Sequence, residues 1–222
     1  VQNSLRTFGS GMEGEMSRTT RLLYTLGVLF LYSSGYFFTQ AIIQKSEFDL
    51  LTEIDKAIPF MPEHVWIYHT LLPAIVVTMT YLVKQEKVFF NVFWSAMICA
   101  LILNISYVLF PAFYPRPDVI PSTLSELLVS ITHQIDGAHN TFPSGHVTFS
   151  VILSLGVFHA RTSLSMPGIK MLYLLWTLGI MMSTLTLKQH FIVDVVAGAV
   201  LATISFMLVK NIINKHNFYQ HN

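Results

Sequence analysis

Charge is scarce in this chain. Asp, Glu, Lys and Arg make up 11% of its 222 residues, against roughly 25% in an ordinary soluble domain. Apolar residues make up 53%, and a soluble fold of this size would need more polar surface than that leaves. The composition therefore excludes a soluble globular domain and points to a bilayer, in which the outer surface stays apolar. Cysteine is nearly absent too. Cys99 is the single one, so no intramolecular disulfide forms and cysteine usage says nothing about the redox compartment. No Cys or carboxylate cluster suggests a metal site, and no cofactor or metal is expected. There is no internal repeat, no low-complexity tract and no short apolar segment followed by a small-residue cleavage site, so the first apolar run reads as a retained helix.

What is present is a series of long apolar runs. Spanning takes about 20 mostly apolar residues, and six segments fit: Leu22 to Ile43, His64 to Val83, Val88 to Phe110, His146 to Ala160 (starting near Ser144), Lys170 to Leu187 and Phe191 to Ile213. The expected fold is all-α, an integral membrane bundle of six transmembrane helices over residues 21–214, flanked by a mobile N-terminal tail (1–20) and a C-terminal tail (215–222). With the N-terminus inside, Arg6, Arg18, Arg21, Lys84, Lys87, Arg161, Lys170, Lys210 and Lys215 fall inside, and only Lys45, Lys56, Arg116 and Lys188 fall outside. That asymmetry is the positive-inside pattern. It places both termini in the cytoplasm, in a cell inner (cytoplasmic) membrane, and most carboxylates on the outer or periplasmic side. Two outside segments are long. Lys45 to Glu63 is expected along the interface, and Pro111 to Pro143 contains a short helix from Ser122 to Ile131, with Ser122 as N-cap and Glu126 near its first turn.

Three polar clusters fall on the outside face: Tyr114-Pro115-Arg116-Pro117-Asp118, Phe142-Pro143-Ser144-Gly145-His146, and Lys188-Gln189-His190 running on to Asp194. Ionisable residues at membrane depth are costly, which favours a functional role. Singly, each has a structural reading: Arg116 as a snorkelling interfacial anchor, Ser144 as an N-cap, His190 as an interfacial histidine. Asp194 resists such a reading. It lies inside an apolar run, four residues after His190 and on the same helix face, and a buried carboxylate needs a partner. His64, His133, His139 and Asp136 have no distinguishing spacing and read as ordinary loop residues.

In order, Arg116-Pro117, Pro143-Ser144-Gly145-His146 and His190-(three residues)-Asp194 resemble the motifs of the type 2 phosphatidic acid phosphatase superfamily. The resemblance runs from about the third span to the end of the sixth. It implies a six-helix core and metal-independent action on lipid phosphates or diphosphates through a phosphohistidine. His190 would be the nucleophile, oriented by Asp194, and His146 the acid and base. Arg116, Ser144, Gly145 and Lys188 would bind the phosphate. The partners implied are a membrane lipid substrate and the bilayer, with no nucleic acid. Two positions depart from the family pattern. Leu109 stands where the family has Lys, and Ser183-Thr184 where it has Ser-Arg. Lys188 resembles the basic residue of the sphingomyelin and inositol phosphorylceramide synthase branch, which keeps the two His and the Asp. The reading is a lipid-phosphate phosphatase. The alternatives are a lipid phosphotransferase of that branch, a non-catalytic lipid-binding or transport protein, and an intramembrane serine protease pairing Ser144 with His190.

Overall fold

The computed structural model describes residues 15–43, 48, 50–160 and 167–220, with the side chains of the last five left out. Most of the expected N-terminal tail, together with Arg6, Lys45, Glu47, Asp49 and Arg161, lies outside the described residues. Among the described residues the fold is all-helical, without a strand. The helices are α1 (Arg18–Ile42), α2 (Glu53–Ala57), α3 (Val65–Tyr68), α4 (Leu71–Val77), α5 (Glu86–Leu109), α6 (Leu124–Ile135), α7 (Gly145–His159), α8 (Pro167–Thr186) and α9 (Ile192–Gln220).

Among the described residues, five segments are long and apolar enough to cross a membrane: Arg18–Ile42, Pro62–Leu82, Glu86–Leu109, Pro167–Thr186 and Ile192–Lys215. The fourth apolar run forms α7, which has 15 residues and is about 22 Å long at 1.5 Å per residue. Alone it falls short of a hydrocarbon core of roughly 30 Å. The apolar side chains that α1, α5 and α8 leave exposed, such as Phe30, Phe38, Leu101 and Leu172, suit a lipid surface rather than water. The second span is not one uniform helix. A 3₁₀ turn at Pro62–His64 leads into α3, α4 follows, and Thr78–Leu82 closes as a π turn. Pro73 has no amide N–H for a carbonyl one turn back, which accounts for part of the irregularity. At the π turn the Val83 amide donates to Thr78 O at 2.9 Å.

Helix α7 is the centre of the bundle and packs on α9, α8 and α5, while α1 packs on α5. Close approach of α9 to the start of α7 depends on Gly198: a Cβ there would sit 2.7 Å from Ser144 O. At the end of the bundle away from the polar clusters, Arg21 is buried and donates through Nε and Nη2 to Thr80 O at 3.1 and 2.7 Å. It joins α1 to the π turn and satisfies a carbonyl that the irregular backbone leaves over.

Helix α6 is longer than the sequence suggests and begins one residue later. Thr123, not Ser122, is its N-cap, in a reciprocal capping box with Glu126. Ser122 still contributes, since its amide and hydroxyl donate to the Glu126 carboxylate at 2.8 and 2.6 Å. These hydrogen bonds hold the Glu126 carboxyl below its ordinary pKa. The C-terminal helix α9 continues through Gln220.

Candidate active site

The site is assembled where the ends of α1, α5 and α8 meet the starts of α7 and α9. The turn from α8 to α9 sets the position of His190. Lys188 takes φ 57°, the left-handed conformation in which non-glycine residues are uncommon. The reversal lets the Gln189 and His190 amides both return to Thr184 O, at 3.0 and 3.2 Å. Thr184 stands where the family has an arginine. Here it is fully buried and serves as the acceptor of this turn.

His190 is buried, and its Nδ1 lies 2.8 Å from Thr141 O and 3.3 Å from Asp194 Oδ2. Both neighbours are acceptors, so Nδ1 carries the proton and Nε2 is the bare nitrogen. Asp194 is completely buried and its Oδ2 also accepts the Phe191 amide at 2.9 Å. The tautomer is thus set jointly by a backbone carbonyl and the carboxylate, with the carbonyl nearer. His146, at the second position of α7, stacks on Tyr68 with ring centroids 4.0 Å apart. Its ring centroid lies 6.5 Å from that of His190.

Ser144 is the N-cap of α7 and fully buried. Its Oγ accepts from Val147 N at 3.4 Å, and its amide donates to Asp194 O at 3.1 Å. Gly145 lies under the Tyr32 and Tyr107 hydroxyls, where a Cβ would collide with Tyr32. Its lack of a side chain is therefore required by packing as well as by backbone access.

Arg116 reaches the same cavity but its forked end is occupied. Nη1 donates to His133 O and Asp136 O, and Nη2 to Gly137 O and Gln189 Oε1. It thereby caps the last turn of α6, where unsatisfied carbonyls favour a cation. Its Nε is buried without a partner among the described residues, as is Nε2 of Gln189. Both residues line the cavity, and each thus keeps one buried donor without a partner among the described residues.

Lys188 does not join this group. Its Nζ donates to Asp55 O and Ile58 O at 2.9 and 2.5 Å, at the end of α2. Desolvation lowers its pKa, and the Asp55 charge opposes that. Asp55 in turn accepts the Ile192 amide at 2.8 Å, at the start of α9. Burial raises the pKa of Asp55, but bonds from Thr52 and Ile192 and the Lys188 charge outweigh it, and the net shift is downward.

Sequence reasoning missed several residues. Asp136 reads as an ordinary loop residue in the sequence, yet it lines the cavity. It accepts from Tyr36 and from Tyr68 (3.1 Å) and lies 3.9 Å from Arg116. His69 also lines it, with Nε2 2.8 Å from Thr132 Oγ1. No spacing in the sequence signals either one, because their partners lie on α1, α3 and α6. Gln189 carries a weak signal, being next to His190.

The cavity measures ≈ 450 Å³ and is lined by His146, His190, Arg116 and Asp136 at one end and mainly by apolar and aromatic side chains elsewhere. Residues 112–218 match the model of the PAP2 superfamily, a stretch that includes all three motifs. The match agrees with the family that the motifs resemble. That likeness supports an enzyme of phosphatase or phosphotransferase type, and with the long apolar helices it is consistent with an integral membrane protein. No curated protein matches the chain significantly.

Proposed function

We propose that the protein is a membrane lipid-phosphate phosphatase that hydrolyses a phosphomonoester or diphosphate through a phosphohistidine. The observation that carries this reading is that His146, at the start of α7, and His190, in the turn before α9, line one cavity together with Arg116 and Gln189. A ring separation of 6.5 Å admits a phosphoryl group between them.

In the first step Nε2 of His190 attacks phosphorus in line with the leaving oxygen, and the P–O ester bond breaks as the P–N bond forms. His146 gives its proton to the departing alkoxide. The growing charge on the equatorial oxygens meets Arg116, the Gln189 amide and the N-terminal amides of α7. In the second step neutral His146 takes a proton from water. The hydroxide attacks phosphorus, the P–N bond breaks, and inorganic phosphate leaves with both histidines restored. A lipid hydroxyl in place of water would give a phosphotransferase. Lys188 is the residue that leans toward that branch, and it points to α2 instead of the cavity, so we infer water as the acceptor.

Helix α7 is the sixth crossing in this reading. Its short length is acceptable because it is enclosed by protein on several sides, where irregular backbone at its ends is shielded from lipid. The site then faces the outer, periplasmic side of the cytoplasmic membrane, following the distribution of basic residues.

The test is a panel of lipid phosphates, diphosphates and phosphodiesters, scoring free phosphate and any new lipid. Phosphate release that survives EDTA supports the reading, because the donor set is imidazole, guanidinium and amide. A new phospholipid without free phosphate overturns hydrolysis. Loss on EDTA with recovery on Mg²⁺ overturns the mechanism. For orientation, an impermeant thiol reagent applied outside should label a cysteine placed at Glu53 and not one at Lys84. Native Cys99 is fully buried and gives little background.

A further inference from the structure

Asp55 is a buried carboxylate that the mechanism above does not use. It is 1% exposed. A buried charge is costly unless hydrogen bonds satisfy it, so its bonds show what it does. Oδ2 accepts the Thr52 amide at 2.9 Å and the Thr52 hydroxyl, within the capping box of α2. Oδ1 goes elsewhere. It accepts the Ile192 amide at 2.8 Å, 137 positions along the chain. Ile192 is the first residue of α9, where helical amides have no partner within the helix. Phe191 precedes it, and its side chain has no oxygen with which to cap the helix. Asp55 supplies that acceptor from another segment and places a negative charge at the positive end of α9.

Other residues of the 52–64 segment grip the same turn. The Met61 amide donates to Thr186 O at 3.1 Å, and His64 Nδ1 lies 2.8 Å from Thr186 Oγ1. The Lys188 ammonium reaches Asp55 O and Ile58 O. The turn is thus tied before, at and after its left-handed residue. Gln189 and His190 lie between the ties at Lys188 and Ile192. The clasping segment lies outside residues 112–218, the stretch that matches the PAP2 superfamily.

We propose that the 52–64 segment is a clasp on the turn before α9, and that Asp55 is a positioning residue for His190. This rests on the phosphatase reading above, in which Nε2 of His190 attacks phosphorus. Asp55 acts through the backbone. It fixes the start of α9, and with it the place from which the turn presents the imidazole. In-line attack tolerates little displacement, and about 1 Å of misplacement can cost about 10²-fold in rate. Asp194 and Thr141 O hold the ring's tautomer. Asp55 holds the backbone that carries the ring, so two carboxylates divide the support of one nucleophile. Arg116 has its own ties, to carbonyls at the end of α6. Loss of Asp55 therefore acts on the chemical step more than on KM.

The test uses the full chain in detergent. The single-turnover phosphorylation rate, kcat and KM are measured with hexadecyl phosphate, dipalmitoyl phosphatidate and farnesyl diphosphate. Amide hydrogen exchange is followed in parallel for the peptide that carries the turn and the start of α9. Asp55→Ala should lower the phosphorylation rate and kcat about 10- to 100-fold, change KM little, and speed exchange in that peptide. Asp55→Asn keeps one oxygen for the Ile192 amide, so it should fall between wild type and Asp55→Ala. It serves if the alanine variant does not fold. Glu53→Ala, on the exposed side of α2, should behave as wild type. Arg21→Gln, at the far end of the bundle, should lower the thermal midpoint and leave kcat per folded molecule unchanged, which separates positioning from general weakening. Wild-type kcat in Asp55→Ala, unchanged exchange at the turn, a rise in KM with kcat intact, or an equal loss of kcat in Arg21→Gln overturns the positioning role and leaves the phosphatase reading standing. Wild type that turns over no ester, with exchange at the turn still faster in Asp55→Ala, overturns the phosphatase reading and leaves the clasp. Neither signal overturns both.

Discussion

The two halves of this protein divide the work unequally. Residues 112–218, the segment that matches the PAP2 superfamily, supply both histidines, Asp194, Arg116 and Gln189. The first half, α1 through α5, supplies most of the apolar wall below them. The first half reaches the polar end mainly through tyrosines. Tyr36 and Tyr68 donate to Asp136, Tyr68 also stacks on His146, and Tyr107 donates to Pro143 O at 3.2 Å. On the proposed reading, the reacting groups and most of the apolar wall come from different stretches of chain, joined by a few aromatic hydroxyls. A change in the second half should then alter turnover of every substrate, and a change in the apolar wall of the first half should alter which substrate is used.

The strongest check on that division is His190. His190→Ala should lower turnover of all esters by about a thousandfold or more and abolish the covalent phosphoenzyme, as loss of a nucleophile does. Retained activity would remove the phosphohistidine and, with it, the assignment of chemistry to the second half. His146→Ala should cost about 10²- to 10⁴-fold with an alkyl leaving group. A nitrophenyl phosphate needs little protonation of its leaving group, so a single-turnover burst should recover much of that loss in His146→Ala and none in His190→Ala. Equal recovery in both would mean that the two roles are not divided in this way, and recovery in His190→Ala alone would mean that they are reversed.

Asp136 tests the seam between the halves. Asp136→Asn weakens its bonds from Tyr36 and Tyr68 and its pairing with Arg116, and should destabilise the protein by about 1–3 kcal/mol, read as a lower thermal midpoint in detergent. Tyr36→Phe should be non-additive with it in a double-mutant cycle, because the two groups share one hydrogen bond. Additive effects would show that the seam lies elsewhere.

The smallest effect concerns Lys188. Its ammonium holds the end of α2, so Lys188→Ala should lower stability by about 1 kcal/mol with KM unchanged. Lys188→Gly should be milder, since glycine relieves the left-handed backbone. A large rise in KM for either would return Lys188 to phosphate binding.

The elements of the bundle were readable to within a few residues, because spans announce themselves by length and apolarity. The exceptions have local causes. Helix α7 falls below spanning length since its N-terminus is set by the Ser144 cap inside the bundle, and α6 starts at Thr123 because a reciprocal capping box outweighs the single hydroxyl expected to cap it. In the site, His190 and Asp194 pair at 3.3 Å as their spacing suggests, but not from one helix face: α9 begins at Ile192, and His190 reaches Asp194 from the turn before it. Lys188 shows the limit of such reasoning. It is two residues from His190, but the left-handed turn directs its side chain to α2.

By itself, then, the sequence determined what is local and periodic: a bundle of apolar helices, the Ser144 cap, the positions of the three motifs and the His190–Asp194 pair. These depend on short-range spacing and on the solvent each segment requires. The tertiary structure alone decided that Arg116 is held by the end of α6, that Thr141 O shares the His190 proton with Asp194, that Asp136 belongs to the site, and that an apolar wall lies beneath it. Each of these joins residues from separate segments of the chain, and such a contact depends on how the bundle closes rather than on the spacing within any one segment.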